Sequence, residues 1–296
     1  MSLFSLPEWA AFGFLHRTSE APGSHLQRSA PGKQQRPERR GNSAPSGGAV
    51  RGVGDYGRRV PSTIACSDLI SQAGAVMIES DGVQMPAHYG SPGGELAVCV
   101  ARIGLAARTD LAALSITANG PAFDELAEYL PRCSLAPGGL ASDGDICWCR
   151  DAEDHALMLV SPRRIASRLV RILRHTLVQW GVTLTDSPDQ RVVLGVIGRR
   201  ATSLLADLGL CGPDQDLRSI APCTRIDLGG ASILVLLLNE RDVLIVMERQ
   251  DATAAWQAIL RAGRPYGISL VGLEAVRRYR LTARTAAGRF DLPEPD

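Results

Sequence analysis

The chain has no excess of charge of either sign: 32 basic against 31 acidic residues leave a formal net charge of +1 over 296 residues. A near-neutral molecule has no overall field to concentrate on nucleic acid or on an anionic membrane, so neither is expected as a partner and any ligand has to be recognised at a local site. Long apolar runs are missing too. A membrane-spanning helix needs ~18 or more apolar residues in succession, whereas the most hydrophobic run, Ile233 to Leu238, is far shorter and reads as a buried strand. The seven cysteines, Cys66, Cys99, Cys133, Cys147, Cys149, Cys211 and Cys223, fall at no zinc-like spacing, and no clear secretory signal precedes them. They are expected to pack as small hydrophobes in a reducing cytoplasm. Lysine is almost absent, with Lys33 alone among arginines, which reflects a GC-rich coding sequence more than a function. No Ser-His-Asp order, Gly-rich phosphate loop or metal constellation occurs.

What is present is a core. Hydrophobic residues make up 45% of the chain and charged residues 21%, the composition of a soluble folded protein. Residues 1–60 stand apart: they are rich in Gly, Pro, Ser, Arg and Gln, with the cluster Gln34 to Arg40 at their centre. So few apolar groups cannot offset the entropy of ordering, except from Leu3 to Leu15, where Trp9, Phe12 and Phe14 suit a short amphipathic helix. A disordered tail, an organelle-targeting peptide and an extension created by an early start codon all fit this composition, and a dispensable tail or extension is expected over a targeting role. No aromatic residues interleave the basic cluster to stack on bases. A single folded domain is expected over residues 61–290.

From Pro61 on, strand and helix patterns alternate. Runs of branched apolar residues predict strands at Leu114 to Ala118, Asp145 to Cys149, Ala156 to Val160, Val192 to Ile197, Ser232 to Leu238 and Val243 to Met247. Apolar spacing of three to four predicts helices at Pro121 to Tyr129, Arg163 to Gln179, Ala201 to Leu208, Ala252 to Arg261 and Leu273 to Arg284. Ser161-Pro162 supplies a cap and a first-turn proline for the long helix, and Gly181 a stop. Cys147 and Cys149 fall on one face of their strand. The short Asn239 to Asp242 connection between two apolar runs signals an antiparallel hairpin. The fold class is therefore α+β, with helices packed on mainly antiparallel sheets. Two strand-then-helix units, Leu114 to Tyr129 and Val192 to Leu208, suggest a weak internal repeat.

Several blocks in order carry more than composition does. Met85-Pro86-x-x-Tyr89 leads through a helical stretch to Gly104-Leu105, and a short strand then ends in the turn Gly120-Pro121-x-Phe123. Downstream come Val182 to Asp186 followed by Arg191 to Leu210, then the turn Asn239 to Met247, then Ala262-Gly263-Arg264-Pro265-Tyr266-Gly267 running to Arg280. In order and spacing these blocks resemble the folate-binding domain of the glycine cleavage system T-protein, the aminomethyltransferase family. The resemblance implies a tetrahydrofolate-binding protein that acts in one-carbon transfer from a small donor, or a non-catalytic relative that serves as a binding or oxidoreductase-subunit-type protein. The family's C-terminal barrel has no counterpart before Asp296, so a protein partner supplying that domain is implied.

The same resemblance implies the site residues. Glu240 takes the position of the family's hairpin glutamate, and a carboxylate can accept two parallel hydrogen bonds from the amidine-like edge of a pterin. A charged turn facing solvent is the alternative. The family's Gly-Gly-x-x-Asp-Asp segment becomes Gly138-Gly139-Leu140-Ala141-Ser142-Asp143-Gly144-Asp145, so the catalytic acid is Asp143 or Asp145, counted from opposite ends, against the alternative of an ordinary Asp-Gly turn. Ser161 stands where the family has a folate-contacting asparagine, and Met85 and Tyr89 fall near the ligand mouth. An expected family arginine falls at Val276, with Arg277 and Arg278 beside it on a face expected to be solvated. His88 could act as acid or base, with His155 and His175 weaker candidates. The Lys-x-Cys-Tyr-x-Gly-Gln motif of the iron-sulfur-maintenance relatives does not occur at Arg280 to Arg284.

Overall fold

The computed structural model describes residues 64–80, 82–118, 121–123, 136–143, 146–177, 181–186, 190–210 and 220–288. All belong to the second of two units into which the chain divides, Arg59–Asp296. The expectations for residues 1–60, and for the Pro121 to Tyr129 helix beyond its first turn, lie outside the described residues.

The described chain forms six α-helices, α1 (Ile64–Gln72), α2 (Pro92–Ala101), α3 (Arg163–Leu177), α4 (Ala201–Asp207), α5 (Ala252–Gly263) and α6 (Leu273–Gly288). Its strands are β1 (Val76–Ser80), β2 (Val83–His88), β3 (Ile103–Ala107), β4 (Ala112–Thr117), β5 (Leu140–Asp143), β6 (Ile146–Arg150), β7 (His155–Val160), β8 (Thr183–Asp186), β9 (Arg191–Ile197), β10 (Cys223–Leu228), β11 (Ala231–Asn239), β12 (Asp242–Glu248) and β13 (Ile268–Leu270). They make a β1-β2 hairpin, a six-stranded sheet in the order β10-β11-β12-β9-β3-β13, and a five-stranded sheet in the order β5-β6-β7-β4-β8. Every pairing is antiparallel except that of β13 with β3. The α+β class with mainly antiparallel sheets is therefore as the sequence implied.

The six-stranded sheet is buried on both faces, which is why β9, β11 and β12 read as near-continuous apolar runs without polar alternation. Successive side chains still point to opposite sides. On one side Ile233, Val235, Val243 and Ile245 pack with Leu204 and Leu205 of α4 and Trp256 and Ile259 of α5. On the other, Val193, Leu234, Leu236, Leu244 and Val246 meet Ala113, Leu157, Leu159, Cys147 and Cys149 of the five-stranded sheet. The same side, nearer β3, is covered by α2 and α6 through Cys99, Ala106, Ile197, Val271, Ala275 and Val276. Burying a Leu, Ile or Val side chain of this kind stabilises by about 1.5–3 kcal/mol, so this double-sided packing is the main source of stability. The described cysteines Cys99, Cys147, Cys149 and Cys223 are free and buried, as expected for packing thiols. Burial, then the Glu95 carboxylate, pushes the Cys99 thiol up to about 12.

Strand expectations for the long apolar runs hold to within about two residues, while α1, β1, β2, β3, β5, β8, β10 and β13 were not predicted from pattern. β3, Ile-Gly-Leu-Ala-Ala, is wholly buried and so has no alternation to read, and Gly104 within it leaves room for Cys99 and Val271, whose atoms would lie 2.8 and 2.7 Å from a Cβ. β2 contains Pro86, which argues against a strand except in a two-stranded ribbon such as this one. The two strand-helix units of the suggested repeat lie in different sheets, β4 in the five-stranded and β9 in the six-stranded one.

One buried carboxylate ties the helical cover to the β1-β2 hairpin. Glu95, 7% exposed in the first turn of α2, accepts from the Tyr89 and Gly90 amides through Oε1, at 2.7 and 3.1 Å, and from the Gly272 amide through Oε2, at 2.7 Å. Gly272 must remain glycine, because a Cβ there would stand 2.0 Å from the Ala87 carbonyl oxygen. Hydrogen bonds to a charged acceptor contribute about 1.5–3 kcal/mol. Glu95→Gln is therefore expected to lose about that much stability in urea denaturation, and Gly272→Ala to lose more because backbone has to move; a Gly272→Ala midpoint equal to the wild type would contradict this packing.

Candidate functional site

After β3 the chain leaves the six-stranded sheet through Arg108 to Leu111 and enters the five-stranded sheet as β4. The turn is held by the Arg108 amide on the Val193 carbonyl, at 2.9 Å, and by the Leu111 amide on the Arg108 carbonyl, at 3.1 Å. The Arg108 side chain lies across Gly195, where a Cβ would be 3.4 Å from Arg108 Cγ. Its guanidinium forks onto Asp110, Nε to Oδ1 at 2.8 Å and Nη2 to Oδ2 at 2.9 Å, and both residues are buried. Ser161, directly after β7, donates from Oγ to Asp110 Oδ2 at 3.4 Å.

A second forked pair completes the seam. Asp242, buried at the start of β12 on the same sheet face as Leu244, accepts from Arg280 of α6, Nε to Oδ2 at 2.6 Å and Nη2 to Oδ1 at 2.9 Å. The pairs sense one another. Burial would raise the Asp110 carboxyl, but the Arg108 guanidinium outweighs it and Arg280 adds to the effect, leaving Asp110 below the ordinary carboxylate range. Burial likewise disfavours the charge on Arg108, yet Asp110 and then Asp242 hold it protonated. Two positive and two negative groups, with one serine, therefore make a net-neutral polar cluster in an apolar surround.

The hairpin turn beside this cluster is fixed at several points. The Gly198 amide donates to the Arg241 carbonyl at 2.8 Å, and the Arg241 amide to Asn239 Oδ1 at 2.8 Å. Glu240 stands exposed at the tip of this turn, two residues before Asp242.

Of the residues expected from sequence, Ser161 enters the cluster and Glu240 adjoins it. Met85 is buried in β2, and Tyr89, half-buried and packed against the six-stranded sheet's core, gives its amide to Glu95. Asp143 ends β5 with its backbone paired to Ile146, but its side chain, like the whole of Asp145 and the His175 side chain, lies outside the described residues. His155 is hydrogen-bonded to Asp151, which also accepts from Arg225 of β10, so it fastens the two sheets. Arg277 and Arg278 are exposed, as the sequence implied, and Val276 is buried. Arg108, Asp110, Asp242 and Arg280 were missed. The available signal was Arg108-Thr109-Asp110, charges two apart inside an otherwise apolar stretch, where a buried pair is the only inexpensive arrangement.

Two polar atoms of the crossover are left over. Among the described residues Arg108 Nη1 and Thr109 Oγ1 are buried and meet no hydrogen-bond partner, and the same holds for His88 Nδ1. No group of three or more His, Cys, Asp or Glu side chains among the described residues is arranged to hold a metal ion, and no described helix is long and apolar enough to cross a membrane.

Two packed antiparallel sheets, flanked by helices and joined at a polar seam, define an α+β domain of one known architecture. The glycine cleavage system aminomethyltransferase T of Bartonella henselae shares it, with a TM-score of 0.55 at 18% identity over 71% of this chain and 59% of that one. The chain belongs to the GCVT N-terminal domain family, whose description matches residues 133–292. The aminomethyltransferase of Shouchella clausii is 28% identical over 241 residues, 73% of this chain and 62% of its own length. That of Bacillus velezensis is 28% identical over 173 residues, 55% of this chain and 46% of its own. The chain thus spans 62% or less of the length of these curated relatives.

Because Asp110 is more acidic folded than unfolded, its contribution to stability is full above its ordinary value of 3.8 and is lost as pH falls through the lower folded value. Denaturation midpoints should therefore drop as pH falls below about 4 in the wild type and drop less in Asp110→Asn; equal slopes would contradict the ion pair.

Proposed function

We propose that this domain binds a reduced folate at the seam between its two sheets and takes part in transfer of a one-carbon unit. The observation that carries the reading is the turn bearing Glu240, pinned by Asp242 to Arg280 and by the Arg241 carbonyl to Gly198, beside a buried polar cluster in a chain of the GCVT N-terminal domain family. A carboxylate on a fixed turn is pre-organised to accept two parallel hydrogen bonds from the amino edge of a pterin, which spares the entropy of ordering it on binding. Tetrahydrofolate when bound supplies a nucleophilic N5 that accepts or gives up the one-carbon unit. Asp110 and Asp242 keep the two arginines in place, and Ser161 adds a hydroxyl at the same point. Asp143 or Asp145 remains the proposed acid near the reacting atoms.

A second reading has one observation in its favour. Both described carboxylates of the seam are already forked onto arginines, which suits a binding or subunit-type protein as well as a transferase and gives a partner chain a place in supplying the rest of a site. Calorimetric titration with tetrahydrofolate separates the outcomes. Binding by the wild type that weakens about tenfold or more in Glu240→Gln, the loss of roughly one charge-assisted hydrogen bond, supports the first reading. Binding unaffected by Glu240→Gln supports the second, and no heat at millimolar ligand removes the folate reading.

A further inference from the structure

The unpaired nitrogen of Arg108 has a consequence for what the seam accepts. The guanidinium is a rigid planar fork. With Nε and Nη2 spent on Asp110, both N–H bonds of Nη1 are directed away from that carboxylate, in a side chain that is 3% exposed. A buried charged donor left without an acceptor costs free energy that no other arrangement of this residue recovers, since turning it would break the fork to Asp110. Pairing with Asp110 accounts for Nε and Nη2 of Arg108 but leaves Nη1 without an acceptor.

The charges around it decide which kind. Arg108 is balanced by Asp110 and Arg280 by Asp242, so the seam offers an incoming anion no net positive field to offset its desolvation. A neutral carbonyl oxygen, with no charge to desolvate, can accept from one hydrogen of Nη1. We infer that Arg108 is a specificity-determining residue whose Nη1 edge takes a neutral carbonyl oxygen of the ligand. This rests on the folate reading, in which that oxygen is the 4-oxo group of the pterin, and it separates 4-oxo from 4-amino pterins. A 4-amino group is itself a donor and would meet the donors of Nη1.

Two probes that differ in the group at C4, and with it in the hydrogen on N3, test it, the Arg108 variants isolating the contribution of C4: tetrahydrofolate and its 4-amino counterpart, tetrahydroaminopterin, titrated by calorimetry into the full-length wild type, into Arg108→Lys and into the double variant Arg108→Met/Asp110→Leu. The lysine keeps the charge beside Asp110 but has no second donor edge. The double variant removes the pair together, so that no buried carboxylate is stranded; a cooperative melt establishes that each variant is folded. The wild type is expected to favour the 4-oxo ligand by about tenfold or more, and the folded variants to reduce that preference to within about threefold. A wild type that binds both ligands equally, or variants that keep the full preference, would overturn the inference while leaving folate binding intact. Binding of neither ligand by the wild type would overturn the folate reading and this inference together.

Discussion

A charged guanidinium is buried where the chain passes from one sheet to the other, and an interior charge survives there only if it is paired with good geometry. Arg108 and Asp110 meet that condition within three residues of chain, so the turn that joins the two sheets carries its own counterion. The crossover brings β3 and β4 into opposite layers, and the second pair, Asp242 with Arg280, ties the β11-β12 hairpin and α6 to the same point. The strands that pack tightly around the seam are apolar, so the polar groups are concentrated there and the field of each pair is felt by the other.

The blocks that give the chain its family likeness are in large part scaffold. Gly104 sits against Cys99 and Val271, and Gly272 sits under the Ala87 carbonyl, so both motif glycines exist because helices α2 and α6 press close to β3 and β2. The Met-Pro-x-x-Tyr block places the Tyr89 amide on Glu95. These residues fix the layers, while Glu240, Asp242 and Arg280 of the later blocks lie at the seam or beside it. Shared fold and shared motifs therefore define the family and do not by themselves define a ligand.

The sequence was legible where burial imposed a pattern and opaque where it did not. β9, β11 and β12 announce themselves as branched apolar runs, and the Asn239 to Asp242 turn follows from their closeness. β3 is as deeply buried but is built from Gly, Ala, Leu and Ile, with no polar alternation and little β-propensity, so nothing in its composition separates it from a helix. The site divides the same way. Ser161 and Glu240 could be placed by alignment of blocks, whereas the arginines that organise the seam could not. Arg280 lies among several arginines on α6, and which of them turns inward depends on the packing of that helix against β2 and β3. Arg108 and Asp110 are close in sequence, but their partnership with Asp242 and Arg280 arises only when the two sheets meet.

Under the proposed function the seam is a place for a flat heterocycle and not merely a buried clasp. A crystal structure grown with tetrahydrofolate tests this directly. The pterin is predicted between the two sheets, its amino edge on Glu240 and its carbonyl within hydrogen-bond reach of Arg108 Nη1. A ligand seated elsewhere on the domain, with the seam closed by its own side chains, would contradict it.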